Sequence, residues 1–385
     1  MANSKLTEIH SQTIRSRQEA YASALSLLRQ LIAVPSVSRD EARTADLLEA
    51  WPHVAFRRQG NNLWAIAPGY DAARPTLLLC AHIDTVKPVA SWTREPFTPT
   101  EEPCVNARGE ADVRLYGLGA NDDGASLVSL LHVFVLLCAR PQAYNIVFVA
   151  AAEEEVSGRG GIESVLPLLP PIDVALVGEP TGMRAAVAEK GLVVLDGTAY
   201  GRSGHAARDE GVNAIYRAIE AIERLRGVHF DRESETLGPV RVNVTQVSAG
   251  TAHNVVPDRC AFVVDVRTTD AYSNEETVDL LRRAAIGADV APTDAALTLT
   301  PRSTRLQPSS IAPTHPLVQR IVALGCPLFG SPTLSDQALL PCPSLKMGPG
   351  DSARSHTADE YILHSEIRHA IDLYLDVLDG LQLTK

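Results

Sequence analysis

Three apolar runs in this 385-residue chain end on side chains able to hold a metal ion. Residues 76–80 lead into His82-Ile83-Asp84, residues 145–149 into Glu153-Glu154-Glu155, and residues 173–177 into Gly178-Glu179-Pro180-Thr181. His82 and Asp84 are two apart on an extended segment and so point to the same side. A ligating histidine usually donates its other ring N–H to a carboxylate, although a His–Asp hydrogen bond of purely structural use has the same spacing. Asn121-Asp122-Asp123-Gly124 opens an apolar stretch. Capping of a helix explains one of the two aspartates, and a carboxylate bridging two metals is the alternative for Asp122. Acidic residues gain from a helix N-terminus, but three adjacent glutamates repel one another, and a dication would relieve them. One could then ligate while its neighbour acts as general base on water. Glu179 reads equally as a turn carboxylate. His356, after Gly348-Pro349-Gly350-Asp351, reads equally as a solvated loop histidine.

The elements that must position these groups follow from the runs themselves. Short, nearly continuous apolar segments are strands buried on both faces, which implies a parallel sheet flanked by helices. Open sheets of this kind bind ligands beyond the carboxyl ends of their strands. Helices are expected over 19–33 and 40–49, strands over 54–58 and 63–67, and a Pro- and Glu-rich loop over 87–112. An apolar helix is expected to start near Gly124. From 191 to 303 the order is strand (192–200), helix (212–226), strands (240–247 and 260–267), helix (274–285) and strand (296–300). That is the ferredoxin-like β-α-β-β-α-β order. The expected organisation is an α/β catalytic domain in two parts, 1–190 and 304–385, with an inserted domain at 191–303. A helix from His315, a strand into the Gly-rich loop and a closing helix over 364–381 complete the second part.

Composition narrows the function. An apolar fraction of 45% with 21% charged residues is that of an ordinary globular protein. A net charge of −11 argues against nucleic acid, which requires a basic footprint. The longest apolar stretch, 127–139, is too short to span a bilayer, and Met1 to Glu8 lack the form of a signal peptide, so a cytoplasmic location with no membrane partner is expected. The six cysteines show no paired C-x-x-C spacing, so any metal must be held by oxygen and nitrogen, as suits zinc, cobalt or manganese. The glycine loops lack the phosphate-cradling G-x-x-x-x-G-K-[ST] form, which discounts nucleotide binding.

As a set, these pieces resemble the acetylornithine deacetylase branch of the zinc aminoacylase and carboxypeptidase family, which also holds succinyl-diaminopimelate desuccinylase and carboxypeptidase G. The resemblance covers nearly the whole chain in order: His82-x-Asp84, Tyr116-Gly-x-Gly-x-x-Asp122, Glu154-Glu155, Gly178-Glu179-Pro-Thr181, Gly204-His205, Arg267 and His356. It implies two zinc ions per subunit, one on His82, Asp122 and Glu179, the other on Asp122, Glu155 and His356. Glu154 would be the general base and Asp84 the orienting partner of His82. It further implies that His205 stabilises the oxyanion in the neighbouring subunit's site. Arg267, with Asn254, would hold the substrate's carboxylate, and the inserted domains would join a homodimer. The chain departs from the family's Asp-Met-Lys at Asp122-Asp123-Gly124 and from its Asp-Glu-Glu at the three glutamates. Alignment on Val156-Ser157-Gly158 makes Glu154 the base and Glu155 the ligand.

The expected activity is therefore deacylation of a small N-acyl amino acid, N-acetylornithine, N-acetylcitrulline or a succinylated relative in arginine biosynthesis. A dipeptidase or carboxypeptidase on the same scaffold is the nearest alternative. A metal- or amino-acid-binding protein without hydrolysis is the alternative from another class.

Overall fold

Ser16 sets the start of the first helix: its hydroxyl accepts the Glu19 N–H, and the Glu19 carboxylate accepts the Ser16 N–H. The computed structural model describes residues 14–286 and 296–385, so Met1 to Glu8, read above for a signal, lie outside the described residues. In chain order the elements are α1 (Arg17–Ile32), α2 (Ala42–Glu49), β1 (Arg57–Gln59), β2 (Asn62–Ile66), β3 (Thr76–His82), β4 (Thr100–Val105), β5 (Ala111–Tyr116), α3 (Gly124–Cys138), β6 (Asn145–Ala151), α4 (Ile162–Val165), β7 (Val174–Val177) and β8 (Ala185–Glu189). There follow β9 (Gly191–Tyr200), β10 (Gly204–His205), α5 (Ala214–Arg226), β11 (Arg241–Ala249), β12 (Val255–Val256), β13 (Arg259–Thr268), α6 (Asn274–Ile286), β14 (Leu297–Pro301) and β15 (Ser309–Ser310). The chain ends with α7 (Pro316–Ala323), β16 (Leu328–Ser331), β17 (Ser344–Lys346), β18 (Tyr361–Leu363) and α8 (His364–Leu378).

Two compact units result, one of Met1–Val187, Ile311–Phe329 and Ser335–Lys385, the other of Ala188–Ser310 with Gly330–Leu334. The first is built on a mixed sheet in the order β1-β2-β6-β3-β7-β17-β8. Its centre, β6-β3-β7-β17, is parallel, while β2 and β8 join antiparallel at the flanks. Alternation explains the unbroken apolar runs. Leu77, Leu79 and Ala81 of β3 with Ile146, Phe148 and Ala150 of β6 enter one core, with α1, α3 and α8. Leu78, Cys80, Val147, Val149 and Ala151 enter the other, with Ile162 and Val165 of α4. With both faces covered, only the strand ends remain to display polar groups.

The stretch read as a Pro- and Glu-rich loop holds more structure than expected. β4 and β5 pair antiparallel, and β18 adds to β5 in a separate three-stranded sheet. β4 is the edge strand, so Glu101, Glu102 and Pro103 face solvent at little cost, which removes the alternating pattern that would have marked a strand.

The second unit has the sheet order β11-β13-β9-β14, all neighbours antiparallel. With α5 and α6 packed through Ala218, Ala221, Leu225, Val278 and Leu281, this is the ferredoxin-like arrangement. All six cysteines are free. Among the described residues no helix is long and apolar enough to cross a membrane.

Candidate metal centre

His82 ends β3 and is 3% exposed. Its Nδ1 lies 2.9 Å from the Asp84 main-chain carbonyl and 3.5 Å from the Asp84 carboxylate. Its Nε2 lies 3.1 Å from Asp122 Oδ1. The other Asp122 oxygen is 3.8 Å from His356 Nε2, so Asp122 stands between the two rings. His356 Nε2 lies 2.9 Å from Glu155 Oε2.

The Asp84 carboxylate has a larger task than orienting His82. It accepts the main-chain N–H of Glu154 at 3.0 Å, that of Glu155 at 3.2 Å and the Ser38 hydroxyl at 2.7 Å. Glu154 and Glu155 sit on a single 3-10 turn, Glu154–Val156, immediately beyond β6. Glu153, by contrast, turns away. Its backbone is left-handed (φ 56°), and its carboxylate accepts the Gly160 N–H. Gly158 and Gly160 pack directly on that carboxylate, where a Cβ at either would collide with it. The three adjacent glutamates therefore divide into one facing a glycine loop and two entering the centre.

Two groups of ligand atoms converge within 4.8 Å of one another: His82, Glu154 and Glu179, and His82, Asp122 and Glu155. These sets differ from those implied by the resemblance: Glu154 rather than Asp122 stands with His82 and Glu179, and His82 rather than His356 stands with Asp122 and Glu155. Burial pushes the Glu154 carboxyl well above its ordinary range, His82 opposes this, and Glu179, Asp336 and Glu155 add to it. Burial likewise raises Glu179, opposed by Lys346 and reinforced by Asp122 and Asp123. Burial disfavours charge on His82, yet its hydrogen bonds to Asp122 and Asp84 and the neighbouring negative charges raise its pKa well above the ordinary value. His356 is raised by its bond to Glu155.

The donor set fits divalent cations. Four carboxylates and two imidazoles point into one space, and buried Glu155 Oε1 has no hydrogen-bond partner. Carboxylates this crowded and buried are costly without a counter-charge, and oxygen with nitrogen is the donor chemistry of zinc, cobalt or manganese. Asp123 occupies the N-cap position of α3 without a side-chain capping bond. Its Oδ2 instead faces the His82 N–H at 3.3 Å.

Two groups escaped the sequence reading. Asn121 is fully buried and links the Asp122 loop to the His356 loop: its side chain accepts the Asp351 N–H at 2.9 Å and donates to the Asp351 carbonyl at 3.1 Å. Glu360 accepts from three main-chain N–H groups of residues 119–122. An Asn in a loop and a Glu before a strand give no periodic signal. Only their invisible partners, main-chain amides, distinguish them.

The remaining expected residues lie in the second unit. His205 and Asn254 are neighbours through the β10–β12 ladder, where His205 pairs with Val255 and the Ala206 N–H donates to the Asn254 carbonyl. Both side chains are exposed. Arg267 makes a two-pronged pair with Asp265, at 2.9 and 3.2 Å, from the same face of β13.

Comparison with known proteins agrees with this architecture. The peptidase dimerisation domain profile matches residues 187–289, and the profile of peptidase family M28 matches residues 62–170, which carry His82, Asp122, Glu154 and Glu155. The chain is 28% identical to the acetylornithine deacetylase of Shigella sonnei, over 92% of this chain and 96% of the other. It is 29% identical to a Mycobacterium tuberculosis protein provisionally named succinyl-diaminopimelate desuccinylase DapE, over 92% and 98%. Among solved structures, YXEP of Bacillus subtilis, described as a dinuclear metal-binding peptidase of the M20 family, aligns with a TM-score of 0.69 at 18% identity over 94% and 98%. A tripeptidase of Staphylococcus aureus aligns with a TM-score of 0.69 at 20% identity over 93% and 97%.

Proposed function

Since the chain belongs to the M20 peptidase family, a family of metal-dependent hydrolases of amide bonds, we propose that it is a two-zinc deacylase of a small N-acyl amino acid. N-acetylornithine is the first candidate substrate, with N-acetylcitrulline and an N-succinyl relative next. The observation that carries the reading is the convergence of His82, Asp122, Glu154, Glu155, Glu179 and His356 at the carboxyl ends of β3, β6 and β7. The relative named acetylornithine deacetylase supports the choice of substrate class.

In this reading His82, Asp122 and Glu179 hold one ion, and Asp122, Glu155 and His356 the other, with Asp122 shared. Bound there, the cations supply Lewis acidity that polarises the scissile carbonyl and acidifies water. Glu154 removes a proton from the attacking water and delivers it to the amine nitrogen as the C–N bond breaks. Asp84 keeps His82 in one tautomer and fixes the turn that presents Glu154 and Glu155. His205 donates to the developing oxyanion in the site of a second subunit. Arg267, exchanging Asp265 for substrate, holds the α-carboxylate with Asn254.

A homodimer through the second unit is part of the proposal. β11 is an edge strand of its sheet and is exposed along most of its length, including Val247, while Tyr216 and Ile219 of α5 are more than half exposed. An unpaired edge beside exposed apolar side chains is a surface suited to pairing with a second copy.

A desuccinylase or peptidase on the same scaffold is the second reading, favoured by the provisionally named desuccinylase at 29% identity. A deacylation panel separates them: acetyl- and succinyl-ornithine, acetylcitrulline, succinyl-diaminopimelate and a few dipeptides, each with and without chelator. Turnover of acetylornithine well above the dipeptides supports the proposal. Turnover confined to dipeptides or to succinyl-diaminopimelate replaces it with the second reading, and metal binding without any turnover replaces both with a binding protein.

A further inference from the structure

Residues 117–122 form an irregular, buried loop between β5 and α3, and a buried loop must find acceptors for its main-chain N–H groups. One residue supplies most of them. Glu360 is 2% exposed. Its Oε1 accepts the N–H of Asn121 at 2.8 Å and of Asp122 at 2.9 Å, and its Oε2 accepts the Gly119 N–H at 3.2 Å. Its main-chain carbonyl accepts the Gly117 N–H at 3.0 Å. Four bonds from one residue thus fix the loop that ends on Asp122. The Asn121–Asp351 link ties the same loop to the segment that carries His356, four residues before Glu360.

We infer that Glu360 is a positioning residue: it holds the backbone of Asp122 so that this carboxylate faces His82 and His356 together, and thereby sets metal affinity. The inference rests on the reading of Asp122 as the shared metal ligand. A carboxylate is needed because both of its oxygens accept. In glutamine one oxygen could still serve Asn121 and Asp122, but the amide group would meet the Gly119 N–H donor to donor.

The test compares wild type, Glu360→Gln and Glu360→Ala after stripping with chelator. Zinc is titrated calorimetrically, the cobalt-substituted proteins are examined by visible absorption, and thermal melts report folding. The expected result is zinc binding weakened about 10–100-fold in Glu360→Ala and less in Glu360→Gln. An altered cobalt spectrum and a fall in kcat larger than any change in KM should accompany it. Folded variants with wild-type zinc affinity and cobalt spectrum, merely melting at lower temperature, would overturn the inference and leave Glu360 a structural residue. The near-isosteric Gln variant keeps this readable if the Ala variant does not fold. Wild-type protein that takes up neither zinc nor cobalt would instead remove the metal-centre reading, and the positioning role with it.

Discussion

The Asp84 carboxylate accepts the main-chain N–H of Glu154 at 3.0 Å, tying the end of β3 to the turn that follows β6. These are adjacent parallel strands, so one side chain coordinates two strand ends that the sheet brings side by side. Asp84 is 1% exposed, and its pKa is lowered: burial works against this, but bonds from His82, Ser38 and Glu154 overcome it. A residue placed this way governs where both glutamates point.

Asp84→Ala should therefore reduce kcat by about 10–100-fold, the size typical of groups that orient metal ligands, with a smaller change in KM. Asp84→Asn keeps one acceptor oxygen and should fall between. Steady-state kinetics on the preferred substrate, with metal content measured in parallel, checks both. An equal loss through KM alone would mean that Asp84 serves substrate binding instead.

Glu154→Gln should retain bound metal and lose activity by roughly 10²–10⁴-fold, because the amide cannot take a proton from water. Metal analysis alongside turnover distinguishes a lost base from a lost ligand. This matters because Glu154 lies in the same convergent group as His82 and Glu179. Full activity in the Gln variant would remove Glu154 from the proton-transfer role.

Removing metal should abolish turnover, and zinc, cobalt or manganese should restore it. The stripped protein should also acquire a pH dependence of stability. Burial pushes Asp123 to about 7, and Glu154, Glu179 and His82 are raised as well. Raised carboxyls favour the folded state while protonated, so their contribution should be lost as pH rises from about 4 through about 7, and for Glu360 through about 8, whereas that of His82 should be lost only above its ordinary value of about 6.5. Asp84 and Asp122 are lowered and act oppositely, weakening the fold only as pH falls below the ordinary carboxylate range. Thermal melts of stripped and zinc-loaded protein across this interval check the sign. A stripped protein that grows steadily more stable from pH 5 to 8 would contradict it.

The sequence made the strand ends legible because a doubly buried strand leaves polar groups nowhere else to go. A candidate metal edge at His82, the three glutamates and Glu179 could be read from that alone, the choice of Glu155 from the resemblance, and the ferredoxin-like unit from the order of its elements. The edge strand β4 could not, since solvent exposure erases its alternation. Asn121 and Glu360 were equally invisible, because their partners are main-chain amides that carry no residue identity. Alignment on Val156-Ser157-Gly158 set Glu153 apart from the other two glutamates, but where its carboxylate goes needed coordinates: the fold gives it a glycine cradle.

The proposed dimer is open to a direct test. Ile219→Glu combined with Val247→Glu places charge on two exposed apolar positions of the second unit, one on α5 and one on β11. Neither belongs to that unit's buried core, so folding should be unaffected. Sedimentation should show a dimer for wild type and a monomer for the double variant. If His205 acts in the site of a second subunit, the monomer should also lose kcat while retaining bound metal, since the proposed metal ligands all belong to the first unit. A fully active monomer would remove His205 from the oxyanion role even if the dimer itself exists.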